Sequence, residues 1–154
     1  MRLLLAAVLL MLSALPQAAR AEDGYRLWLR FDQLSPEQVD RHGPYTGSIS
    51  GDASSATLAL ARSELQNGLQ GLLGRRVPLL TNPATGTVLI GTPRSSRQIA
   101  ALRLPLARLG REGFLLRSLR TQGGPRLIVA ANKDIGVLSG VLALLRRAAR
   151  GRTS

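Results

Sequence analysis

The side chains best suited to proton transfer are the carboxylates of Asp32, Glu37, Asp40, Asp52, Glu64, Glu112 and Asp134. A pair of carboxylates held across a sugar bond can hydrolyse it, one as acid and the other as base or nucleophile. No spacing here ties two of them together. Asp134 stands where a helix N-cap belongs, Glu112 precedes a strand with no visible partner, and Glu64 falls on the polar side of a helix, where it is expected to be solvated. The only histidine, His42, sits beside Gly43-Pro44 and reads as a turn residue. With no cysteine and no second histidine, a zinc site of the usual kind has no ligand set. A serine hydrolase would have to use His42, and Gly47-Ser48-Ile49-Ser50-Gly51 places isoleucine where a nucleophile elbow needs serine. Gly68, Gly71 and Gly74 recur every third residue on a helix, which is not a phosphate-binding pattern. No catalytic, cofactor-binding or metal-binding residue is assigned, and no cofactor is expected.

The elements that would position any chemistry are clearer. Leu127-Ile128-Val129-Ala130-Ala131 is a continuous apolar run, the pattern of a strand covered on both faces. Asn132-Lys133 turns it into a helix whose stripe is Ile135, Leu138, Val141, Leu142 and Leu145. Gly136 and Gly140, four apart, would let helix and sheet approach closely. Earlier, residues 25–31 alternate, with Tyr25, Leu27, Leu29 and Phe31 on one face, as a half-buried first strand. Residues 32–44 are polar, carry Pro36 and Pro44, and read as a loop; residues 47–51 are a short strand.

Ser54 or Ser55 caps a helix with Leu58, Ala61, Leu65, Leu69 and Leu72 on one face, closed by Gly74 before Pro78. Residues 87–91 form a second buried strand, followed by a short helix begun by Ser95 or Ser96 and interrupted by Pro105. Residues 113–119 are a third strand, and Gly123-Gly124-Pro125 turns it back in a hairpin. The order predicts an α+β fold, a small mixed sheet with helices mainly on one face.

Length allows one domain behind a leader. Arg2, an apolar stretch over residues 3–15 and Ala19-Arg20-Ala21 have the marks of a signal peptide ending at residue 21. The apolar stretch is well short of the roughly 20 residues a spanning helix needs, so no stable membrane insertion is expected. Export to the periplasm or the exterior follows. The formal charge is +12, and loss of Arg2 and Arg20 leaves 12 − 2 = +10 on the processed chain. Such a charge suits acidic partners. The arginines are dispersed, however, and no nucleic-acid module is present, so nucleic acid is not an expected partner. A cluster of Arg146, Arg147, Arg150 and Arg152 near the end would favour anionic surfaces.

Four segments carry a resemblance. Glu22-Asp23-Gly24-Tyr25-Arg26-Leu27-Trp28-Leu29-Arg30-Phe31, Val88-Leu89-Ile90-Gly91-Thr92-Pro93, Leu109-Gly110-Arg111-Glu112-Gly113-Phe114 and Ile128-Val129-Ala130-Ala131-Asn132-Lys133-Asp134-Ile135-Gly136-Val137-Leu138 occur in that order. Together they resemble the N-terminal domain of bacterial α-glucuronidases of glycoside hydrolase family 67. The last also resembles the non-catalytic domains that precede the barrel in hexosaminidase-like glycosidases. The resemblance implies an α+β accessory domain over residues 22–147, followed in the family by a (β/α)8 barrel that bears the acid and base. It implies removal of glucuronic acid or its 4-O-methyl form from xylo-oligosaccharides, with inversion and without a cofactor. The partners it implies are that barrel and the acidic sugar.

No family catalytic residue maps onto this chain, because the barrel that carries them is absent. Ser139 departs from the aromatic expected before Gly140, and residues 148–154 read as a basic, aberrant end. The chain is thus expected to be a detached accessory domain, inactive alone and prone to self-association through a face the barrel would cover. The other reading is a free-standing carbohydrate- or protein-binding module, for which two Phe, two Tyr and one Trp supply few stacking platforms.

Overall fold

The computed structural model describes residues 32–82 and 85–151. The leader over residues 1–21, the expected strand over residues 25–31 and the last three residues of the basic tail lie outside the described residues. The elements are α1 (Pro36–His42), a 3-10 turn (Gly43–Tyr45), β1 (Ser48–Ser50), α2 (Ala56–Leu73), β2 (Thr87–Gly91), α3 (Arg97–Ala101), β3 (Phe114–Thr121), β4 (Gly124–Ala131) and α4 (Asp134–Ala149). The four strands form one mixed sheet in the order β1-β2-β4-β3. β1, β2 and β4 run parallel, with Ser50 opposite Leu89 and Leu89 opposite Ile128, while β3 returns antiparallel to β4 with Leu116 opposite Val129.

Both central strands are covered on both faces, as their unbroken apolar runs require. On one face Ile49, Val88, Ile90, Val129 and Ala131 meet α2 and α4 through Leu58, Ala61, Leu65, Leu69, Leu72, Val137, Val141 and Leu145. On the other, Leu89, Ile128 and Ala130 meet Ile99 of α3 and Leu106 of the loop that follows it. Each fully buried aliphatic side chain contributes about 1.5–3 kcal/mol. The two long helices thus share one face, and a five-residue helix with an extended loop closes the other.

α2 follows its sequence pattern residue for residue. Ser55 Oγ accepts the N–H of Leu58, and Gly74 closes the C-terminus with φ 66°, a left-handed conformation that glycine adopts without a Cβ penalty. At α4 the glycines do what their spacing suggested. A Cβ on Gly140 would lie 2.7 Å from Val129 Cγ1, and one on Gly136 would lie 2.6 Å from the carbonyl oxygen of Gly113.

Five readings need correction. Residues 36–42 are helical, not loop. Ser35 Oγ accepts the N–H of Gln38 while Gln38 Oε1 accepts the N–H of Ser35, a capping box with Pro36 in the first turn, where its missing N–H costs nothing. His42 consequently ends a helix rather than sitting in a turn.

Asp134 is not the N-cap of α4. Lys133 holds that position, with no side-chain cap, and Asp134 is the first helical residue, its carboxylate accepting a 2.7 Å bond from Ser55 Oγ. The buried stripe of α4 is also rotated from the predicted one. It runs through Val137, Val141, Leu145 and Ala148, whereas Ile135 is 38% exposed.

Glu64 is not solvated. It lies at 8% exposure among buried positions of α2, and burial raises its carboxyl pKa above the ordinary value. The native state therefore holds that proton more tightly than the unfolded chain does. Stability is unaffected well below the carboxyl range, falls as pH rises through it, and stays reduced at neutral pH. Glu64→Gln is expected to raise the melting temperature at neutral pH and to leave it unchanged in strong acid. Equal shifts at both pH values in thermal melts would contradict this.

Candidate functional site

β2 and β4, both parallel and both central, end side by side at Gly91 and Ala131. In open sheets with parallel strands, the crevice beyond the carboxyl ends is where ligands collect. Here it is an open cleft of about 890 Å³, lined by Thr92, Arg94 and Ser95 after β2, by Leu109, Gly110 and Arg111 before β3, and by Asn132, Lys133 and Asp134 after β4, with the start of α2 as a further wall.

Each wall is held by local chemistry. Gly91 leaves β2 with φ 153°, and a Cβ there would lie 3.1 Å from Ser95 Oγ. The turn that follows closes on itself: Thr92 N–H donates to Ser95 Oγ at 2.9 Å, and Ser95 N–H donates to Thr92 Oγ1 at 3.1 Å. Asn132 Nδ2 donates to the carbonyls of Leu106 and Leu109, at 2.7 and 3.1 Å, and so ties the loop bearing Arg111 to the end of β4. Side-chain to main-chain bonds of this kind contribute about 1 kcal/mol each. Ser55 links two helices, accepting from Leu58 within α2 and donating to Asp134 at the head of α4.

Charge in the cleft is mostly positive. Arg94, Arg111 and Lys133 are exposed around it, and Asp134 is the single carboxylate in its lining. Asp52, on the approach to α2, is exposed. Its pKa is lowered by a hydrogen bond from the Ser54 side chain, then by the Ala53 N–H, with Arg62 adding a smaller effect.

The structure does not bring the candidate acids together in this cleft. Among its lining residues only Asp134 is acidic, and that carboxylate is engaged by Ser55. Glu37 pairs with Arg41 on α1 at 3.4 Å, and Glu64 is buried in α2. His42 lies elsewhere, in the lining of a second cavity that Leu69, Leu72 and Leu73 also line, and its pKa is lowered by burial and then by Arg41. Among the described residues no three of the His, Cys, Asp and Glu side chains cluster as metal ligands. The cationic cleft was not read from the sequence. Its signal is the position of Arg94, Arg111 and Lys133 just beyond strand ends or just before a strand start, which acquires meaning only with the strand order.

The geometry defines a small α+β domain: a mixed four-stranded sheet, two long helices on one face, and a cationic cleft at the carboxyl ends of its parallel strands. Within that class the match is specific. Residues 27–144 match the family described as "Glycosyl hydrolase family 67 N-terminus", and the chain belongs to that family. It is 28% identical over 152 residues to Alpha-glucuronidase A of Emericella nidulans, covering 95% of this chain and 17% of that protein. The chain therefore spans about one sixth of the length of this relative.

Proposed function

We propose that this chain is the N-terminal accessory domain of an exported α-glucuronidase, with residues 1–21 as leader, residues 22–147 as the domain and residues 148–154 as a basic tail. In this reading the enzyme removes (4-O-methyl)glucuronic acid from xylo-oligosaccharides, and an adjoining (β/α)8 barrel supplies the acid and base. The family match over residues 27–144 carries the reading. The name of the relative supports it, as does its length, which leaves room for a large catalytic region.

Purified chain incubated with an aldouronic acid should release no uronic acid, while the same chain joined to a family 67 barrel should release it. Turnover by the isolated chain would overturn the assignment. Self-association of the isolated chain belongs to the same reading. Among the described residues the outer edge of β3 is unpaired, and Leu60, Leu79, Leu80 and Ile135 are exposed. Light scattering on the same preparation should give a mass above that of a monomer.

A further inference from the structure

We propose that the cleft beyond β2 and β4 is a binding site for a small acidic ligand, with Arg94, Arg111 and Lys133 recognising its carboxylate or phosphate group. The three cations come from separate segments, after β2, before β3 and between β4 and α4, and line one cleft only because of the strand order. Among the described residues the one ion pair joins Arg41 to Glu37, so none of the three is neutralised by a carboxylate there. The acid in the lining, Asp134, is held by Ser55 at 2.7 Å. Three cations therefore face one occupied carboxylate.

Two further observations favour a ligand over a scatter of surface arginines. The walls carrying the cations are pre-set by the Thr92–Ser95 exchange and by the paired bonds of Asn132, so little order must be imposed on binding. The cleft, about 890 Å³, is far larger than a lone ion and falls within the range of small-molecule sites. The guanidinium fork can engage two oxygens of either a carboxylate or a phosphate. The body of the ligand is then of sugar size, bearing one such group. The cleft is built wholly from this chain's own residues, and the proposal does not depend on the enzyme assignment above.

Calorimetric titration of the full chain with glucuronic acid, inorganic phosphate and neutral glucose tests it. Saturable binding of glucuronic acid or phosphate is expected, with none of glucose, and the probe that binds identifies the group recognised. Arg111→Gln and Lys133→Gln should each weaken it about 10-fold, the loss of one charge-assisted hydrogen bond. Arg76→Gln removes the same charge at an exposed position outside the cleft and should change nothing. Saturable binding by neither acid, equal binding of glucose, or equal weakening by Arg76→Gln would overturn the proposal.

Discussion

Replacing Gly136 with alanine will destabilise the domain by about 2 kcal/mol, although the same change in an exposed helix interior stabilises by up to about 1 kcal/mol. The added Cβ would stand 2.6 Å from the carbonyl oxygen of Gly113 and 2.8 Å from the Cβ of Ala131. Neither neighbour can rotate away. The first is backbone at the entry to β3, and the second is fixed at the buried carboxyl end of β4. Relief requires α4 to lift from the sheet, at an overpacking cost of about 1–3 kcal/mol. Valine at the same position adds two more methyl groups, and the loss should exceed about 3 kcal/mol. For a domain of this size each kcal/mol lowers the melting temperature by about 2–8 °C. Urea and thermal melts of the two variants check it. A rise in stability for Gly136→Ala would show that helix and sheet have slack at this point.

That close approach was visible in the sequence because two glycines four apart in an otherwise apolar helix have few other uses. α2 was equally legible: an 18-residue helix with Ser55 and Gly74 at its ends repeats its apolar residues often enough to specify one face. α4 was harder for a physical reason. Ile135, Val137, Leu138, Val141, Leu142, Leu144 and Leu145 occupy most of its circumference, so periodicity alone does not choose which line of them is buried. The sheet chooses, through the two glycines, and turns Val137 inward and Ile135 outward. α1 left no stripe at all, since none of its seven residues is buried. Its one mark was Ser35-Pro36-Glu37-Gln38, a start signal without a following pattern.

The cleft was illegible for another reason. With 21 lysines and arginines in 154 residues, composition makes no single arginine conspicuous. Arg94 and Arg111 are 17 positions apart in the chain and reach the same opening because β4 lies between β2 and β3. Parallel pairing of β2 with β4 is a long-range choice, set by burial on both faces, and no local signal encodes it. Asp134 illustrates the same limit at one residue. A carboxylate between a strand and a helix has the local marks of a cap, but Ser55, 79 residues away, claims it.

The contact between α2 and α4 offers the sharpest test of how these helices are held. Gly68 sits against Leu145: a Cβ at position 68 would lie 2.5 Å from one Leu145 Cδ and 2.6 Å from the other. Leu145 is fully buried, so its methyl groups have little room to retreat. Leu145→Ala alone should cost about 2–5 kcal/mol through lost burial and the cavity left behind. Gly68→Ala alone should cost about 1 kcal/mol, the clash outweighing the gain in helix propensity. Together the two changes should not add. With Leu145 truncated, the new methyl at position 68 enters the vacated space and the propensity gain of about 1 kcal/mol is recovered. The double variant should therefore be more stable than Leu145→Ala, with a coupling of about 1–2 kcal/mol. Denaturant melts of the four proteins in this cycle measure it directly. Additive losses would mean that the helices separate when either residue changes, and that the sheet rather than this contact sets their spacing.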